Sequence, residues 1–265
     1  MAEHGQPELN QERVTALQQA MTAGPEELFQ LILSPDAELL PVLVKNPQLT
    51  EDHLLALLKR RDLAESLLRN IYQRHSSRLS HRLIVALAKN PNLPGAILRP
   101  LLVHLRLFEL VDLCFLPGIT PDQKLAAEQT ILQRLPTTPL GSKMTLARRA
   151  TANVVGELVK EGDPQLVEIC LNSPHLREAA VFQFINGPRT EAATLSMVAR
   201  NGRWKNRPNL QMALLKNRKT PAVWFTLWLP KLATQAINQL LTSRRLTVVQ
   251  KNAIREELTR RGKQR

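Results

Sequence analysis

Aromatic side chains are scarce. Phe, Trp and Tyr make up 4% of the 265 residues, against 43% hydrophobic residues in all. A core must therefore be built from Leu, Val, Ile and Ala, which disfavours a sheet sandwich and favours close-packed helices. Cysteine is nearly absent: Cys114 and Cys170 lie far apart, each in an apolar run, and read as two buried, reduced thiols of a cytosolic chain. Long apolar runs are missing too. The best, Leu101 to Leu116, is interrupted by His104, Arg106, Glu109 and Asp112 and falls short of the ~18 residues of a membrane span. With no charged-then-apolar opening segment, the expectation is a soluble, cytoplasmic protein.

Catalytic signatures are absent as well. The sequence has no His-Glu-x-x-His, Cys-x-x-Cys, Gly-rich phosphate loop or Gly-x-Ser-x-Gly elbow. Its six histidines, His4, His53, His75, His81, His104 and His175, form no pair at i, i+3 or i, i+4. The carboxylates at Glu26–Glu27, Asp36/Glu38 and Glu51–Asp52 fall at helix starts, where the helix dipole accounts for them. The expectation is a non-enzyme with no metal, no cofactor and no small-molecule substrate.

Acidic residues are nearly absent from the last quarter. Residues 1–200 hold 21 basic and 21 acidic residues, whereas residues 201–265 hold 15 basic and two acidic. That final stretch accounts for the whole formal charge of +13. Such segregation speaks about partners rather than fold.

What recurs is a helix ending. Leu87–Ala88–Lys89–Asn90 returns as Leu43–Val44–Lys45–Asn46, Val198–Ala199–Arg200–Asn201 and Leu214–Leu215–Lys216–Asn217. A core-facing pair, a cation over the last carbonyls and an Asn tolerant of non-helical dihedrals are the expected parts. Pro47 and Pro91 forbid continuation, and Thr50, Pro94 and Thr220–Pro221 open the next helix. Expected helices include Gln11–Ala23, Leu63–Tyr72, Asp122–Leu135 and one running from Met144 to Lys160. The cluster Pro136–Thr137–Thr138–Pro139–Leu140–Gly141–Ser142 reads as an exposed loop or hinge. Asn46, Asn90, Asn172 and Asn217 are separated by 44, 82 and 45 residues. That suggests a period of ~40–47, the spacing of HEAT and armadillo arrays.

The corners at 46–50 and 90–94, with Lys216–Asn217–Arg218–Lys219–Thr220–Pro221, resemble those of bacterial HEAT-like and leucine-rich-repeat-variant proteins. The likeness spans residues 25–261 and implies a superhelical binding scaffold without a reaction. Some leucine-rich-repeat-variant proteins carry an iron–sulfur cluster on an N-terminal cysteine group, which has no counterpart here.

The reading is an all-α, HEAT/armadillo-like α-solenoid of short helix pairs. Residues 1–24 are a polar segment and capping helix, 25–200 a charge-balanced array, and 201–265 basic repeats continuous with it. The basic quarter is expected to contact a polyanion, a nucleic acid or ribonucleoprotein surface, through Arg203, Trp204, Lys205, Arg207, Lys216, Arg218, Lys219, Arg244, Arg245, Lys251 and Arg255. Stacked corners would line these cations into one ridge, with Lys263 and Arg265 following in the tail. Trp204, between two cations, reads either as an exposed aromatic contact or as a core ring, whereas Trp224, Phe225 and Trp228 read as core. Two other readings remain: a protein-interaction scaffold holding a partner helix or peptide or an acidic surface, and a HEAT-repeat DNA glycosylase.

Overall fold

A computed structural model describes residues 11–76 and 79–262; Arg78, Lys263 and Arg265 lie outside the described residues. Every regular element among the described residues is helical. The chain divides after Ile131 into two compact units, so the change of charge near residue 200 lies inside the second.

The first unit comprises α1 (Gln11–Thr22), α2 (Pro25–Leu33), α3 (Leu40–Leu43), α4 (Glu51–Leu57), α5 (Glu65–His75), α6 (His81–Ala88), α7 (Gly95–Leu102), α8 (Leu107–Cys114) and most of α9 (Pro121–Arg134). The second comprises α10 (Leu140–Arg149), α11 (Ala152–Val159), α12 (Pro164–Asn172), α13 (Glu178–Ile185), α14 (Ala192–Arg200), α15 (Pro208–Lys216), α16 (Ala222–Trp228), α17 (Thr234–Leu241) and α18 (Val248–Gly262). Within each unit a helix packs on the helix two places ahead, as α2 does on α4, α4 on α6, α11 on α13 and α13 on α15. The layer is therefore a helical hairpin. Leu, Ile and Val side chains such as Leu57, Leu87, Leu158, Ile185 and Leu215 are buried between layers, where apolar burial drives the stacking.

The second unit repeats the first at an offset of 127 residues. Pro25, Glu51, Glu65, His81, Gly95, Leu107 and Pro121 open helices in the first, and Ala152, Glu178, Ala192, Pro208, Ala222, Thr234 and Val248 open their counterparts. Leu87–Lys89–Asn90 matches Leu214–Lys216–Asn217, Thr120 and Gln123 match Thr247 and Gln250, and Arg134 matches Arg261.

Helices of seven to nine residues leave the backbone groups of nearly half their length without intrahelical partners. Side chains from the next layer supply them. Asn90 Nδ2 donates to Arg60 O at 2.9 Å and Leu58 O at 3.4 Å, and its twin Asn217 donates to Ile185 O at 2.6 Å. Gln123 Nε2 donates to Asn90 O at 2.7 Å, and Gln250 Nε2 to Asn217 O and Thr220 O at 3.2 and 2.7 Å. Asn46 Nδ2 reaches Ala20 O and Ala23 O at 3.0 and 3.1 Å. In its place the second unit has Ser173, whose buried hydroxyl has no partner among the described residues.

The corner Asn leaves the helical region as expected, and these bonds give it a second role. No non-Gly residue among those described has a positive φ; Asn201 and Asn217 are extended, with φ of −63° and −90°. The residue is needed for an amide of the right reach. The period is corrected. Pro25, Glu51, His81 and Leu107 open equivalent helices 26, 30 and 26 residues apart. Asn46 closes an odd-numbered helix and Asn90 an even-numbered one, so the 44 residues between them are not one repeat. The helix expected over Met144–Lys160 is two, broken at Ala150–Thr151 where Ala150 is extended, and the expected loop at 136–142 already contains the start of α10. The break at Ala150–Thr151 carries neither Gly nor Pro. Gly162, at φ +79°, is required: a Cβ there would lie 2.4 Å from Arg189 O of the next layer.

Near the end of α18, Glu257 is buried and accepts from Arg261 Nε at 2.8 Å, with Arg260 Nη2 at 2.7 Å. Burial pushes its carboxyl up, but the two guanidinium hydrogen bonds outweigh this and hold it below the usual carboxylate range. Burial also pushes the Cys114 and Cys170 thiols up to about 12, so both are protonated at neutral pH.

Two outcomes follow from this packing. Asn90→Ala strands two helix-end carbonyls and lowers the unfolding free energy by about 1–3 kcal/mol in urea titrations; Asn217→Ala, less enclosed, loses less. For Glu257 the folded pKa lies below the unfolded one. Its contribution is therefore full above about pH 4.3 and lost as pH falls through the lower folded value. Glu257→Gln flattens that acid limb of the stability profile, measured by thermal melts against pH.

Candidate functional site

The chain turns at two edges of each unit. In the second unit the turns after α11, α13, α15 and α17 lie on one edge, tied by Gly162 against Arg189, by Asn217 on Ile185 O, and by Gln250 on the 217–220 turn. The turns after α12, α14 and α16 lie on the other edge, nine residues of α15 or about 13 Å away.

This geometry divides the expected cations. Arg203, Lys205 and Arg207 occupy the turn after α14. Arg218, Lys219, Arg244 and Arg245 occupy the turns after α15 and α17, with Lys216 closing α15 and Lys251 in the first turn of α18 beside them. Arg255 stands apart on the exposed face of α18, with Nη1 3.1 Å from Asn252 Oδ1. The single ridge is thus two edges and an outlier.

The turn after α14 is built for stability. Arg203 Nη1 donates to Ser173 O at 2.7 Å and Nη2 to Leu176 O at 2.9 Å, while the guanidinium lies 4.4 Å over the Trp204 ring. Trp204 is 2% exposed, and its Nε1 donates to Leu171 O at 2.9 Å. Of the two readings of Trp204, the core ring is the one found, and the exposed contact is corrected: an apolar ring with a carbonyl partner in reach is buried. Arg207 sits 3.8 Å from Glu178. Arg261, on the tail side, donates to Leu229 O and Pro230 O at 2.8 and 3.0 Å. Phe225 and Trp228 are buried as expected, and Trp224, half-buried, donates to Ser196 Oγ at 3.0 Å.

The other edge is different. The side chains of Arg218, Arg244, Arg245 and Lys251 have no hydrogen-bond or ion-pair partner among the described residues, nor does that of Arg189, which the sequence reading missed. Arg189, Arg218, Arg244 and Arg245 are exposed. Lys219 Nζ donates to Thr190 O at 2.5 Å and Pro188 O at 3.4 Å, holding its charge at the same edge. Of the nearby acids, Glu191 caps its own helix and Glu161 is engaged by Lys143 at 2.7 Å.

The first unit is an internal control for these positions. Asn92 stands where Lys219 stands, and its Nδ2 donates to Arg61 O and Leu63 O at 3.0 and 2.9 Å, the counterparts of Pro188 O and Thr190 O. Asp62, Pro91, Pro117 and Gly118 stand where Arg189, Arg218, Arg244 and Arg245 stand. None of these five first-unit residues is a cation, although Lys124 stands where Lys251 stands and the turn after α4 carries Lys59, Arg60 and Arg61 in place of Asn186, Gly187 and Pro188.

No group of three or more His, Cys, Asp or Glu side chains among the described residues is placed to hold a metal ion. No described helix is long and apolar enough to cross a membrane. Comparison with family models, with curated proteins and with solved structures returned no match.

Proposed function

We propose that the protein is a non-catalytic binding scaffold, an α-solenoid of two-helix layers. One edge of its second unit, Arg189, Arg218, Lys219, Arg244, Arg245 and Lys251, contacts the phosphates of a nucleic acid or ribonucleoprotein. The observation that carries this reading is the contrast between the copies. Unit one has Asp62, Pro91, Asn92, Pro117 and Gly118 at the positions of Arg189, Arg218, Lys219, Arg244 and Arg245, so folding does not account for these five cations. Lys251, whose counterpart is Lys124, extends the edge without that contrast. Like charges gathered on one edge repel each other, and a polyanion relieves that repulsion with release of its counterions. Free guanidinium groups in successive layers suit phosphates along a strand. With Trp204, Phe225 and Trp228 buried and the edge itself made of Arg and Lys, contact is to the backbone and is indifferent to sequence.

Fluorescence anisotropy with a 20-nucleotide single-stranded RNA across a salt series tests this. Six cations predict a plot of log K against log salt with a slope of about −4. Arg218→Glu/Arg244→Glu/Arg245→Glu flattens that slope and weakens binding by about tenfold or more at low salt. A flat slope for the native chain, or an unchanged one for the triple variant, refutes the reading.

A further inference from the structure

Each unit carries a groove at the same place, floored by helix faces and rimmed by the turns that follow them. In the first it runs between α4 and α6 and has a volume of about 600 Å³. Half-buried Leu55, Val85 and Leu116 contribute an apolar floor, and exposed Lys59, Arg61 and Lys89 stand along its rim. The corresponding groove between α13 and α15 has Phe182 for Leu55, Met212 for Val85 and Lys216 for Lys89. Asn186 replaces Lys59 there, and Asn209 replaces Arg82. The groove is kept in both copies, and its open rim cations are concentrated in the first.

The charge in the first groove is unspent. Lys59, Arg61 and Lys89 have no side-chain hydrogen-bond or ion-pair partner among the described residues. The acids beside it are engaged. Glu109 accepts from His81 Nε2 at 2.8 Å and from the Arg106 amide at 2.7 Å, and Asp52 lies 3.4 Å from Arg82. Three open cations over an aliphatic floor call for a ligand with apolar groups on one face and carboxylates beside them. A nucleic-acid strand fits less well. Its bases stack on aromatic side chains, and no Phe, Tyr or Trp lines this groove.

We infer that the α4–α6 groove of the first unit is a docking site for an acidic amphipathic helix of a partner protein. Its apolar side chains at i, i+3 and i+4 would lie on Leu55, Val85 and Leu116, and its carboxylates would pair with Lys59, Arg61 and Lys89. This site is independent of the cationic edge of the second unit.

Two fluorescein-labelled 16-residue peptides test it, both with Leu at i, i+3 and i+4 and with either Glu or Lys at the polar positions. The Glu peptide binds the full chain with a stoichiometry of one. Lys59→Glu/Arg61→Glu/Lys89→Glu weakens it by about tenfold or more and lets the Lys peptide bind instead, a reversal that a loss of structure would not produce. The neutral Lys59→Gln/Lys89→Gln chain, checked by circular dichroism, weakens the Glu peptide less. The Arg218→Glu/Arg244→Glu/Arg245→Glu chain leaves Glu-peptide binding unchanged. The site is refuted if the first-unit charge reversal leaves Glu-peptide affinity intact, if replacing the peptide's Leu by Ser changes nothing, or if the second-unit variant abolishes binding. It is also refuted if first-unit reversal impairs only RNA binding.

Discussion

Short helices have to dispose of their terminal carbonyls. In a hairpin of eight-residue helices a large share of the backbone acceptors lies at the ends, facing the next layer rather than water. Here the layer that covers a helix end also brings the donor that satisfies it. Asn90, Asn92, Gln123 and Asn46 in the first unit, and Asn217, Lys219, Gln250, Arg203 and Trp204 in the second, all donate to carbonyls 23 to 33 residues upstream. These bonds fix the register between layers, because a shift of one helical turn would strand several acceptors together.

Once the turns are closed this way, the identity of the donor is free to vary. An amide suffices at Asn92 and an ammonium at Lys219, and both reach equivalent carbonyls. A single scaffold present in two copies could therefore diverge in charge without changing its fold. The first copy gathers cations at the rim of an apolar groove after α4 and α6, the second in the turns after α13, α15 and α17. At Arg189, Arg218, Lys219, Arg244 and Arg245 the counterpart 127 residues away shows that the fold does not need a cation there. Ser173 marks the cost of drift, since a hydroxyl in place of Asn46 leaves a buried polar atom unpaired among the described residues.

Much of the helical punctuation was legible in the sequence. Gly24–Pro25, Asn90–Pro91 and Asn186–Gly187–Pro188 end helices where their dihedral restrictions say they should. Ala150–Thr151 was not legible, because no residue there forbids a helix and tertiary contacts decide the break. The internal duplication was hidden by its own divergence: Ser173 replaces Asn46, so spacing between Asn residues compares turns on opposite edges. The cations were legible and their grouping was not. Consecutive turns alternate between edges, which places Arg203 and Arg218 apart although only 15 positions separate them. Trp204 stayed open between surface and core because its partner, Leu171 O, lies 33 residues upstream. The groove rim escaped notice because Lys59, Arg61 and Lys89 belong to a stretch with no net charge.

The central claim is that the charge of the second unit's edge is separable from its structural work, and Lys219→Asn tests it most directly. The substitution installs the residue that the first unit uses for the same two carbonyls. The account predicts an unchanged melting temperature and a salt slope for RNA binding shallower by about 0.7–0.9, the loss of one phosphate contact. A fall in stability like that of Asn217→Ala, with the salt slope unchanged, would contradict it.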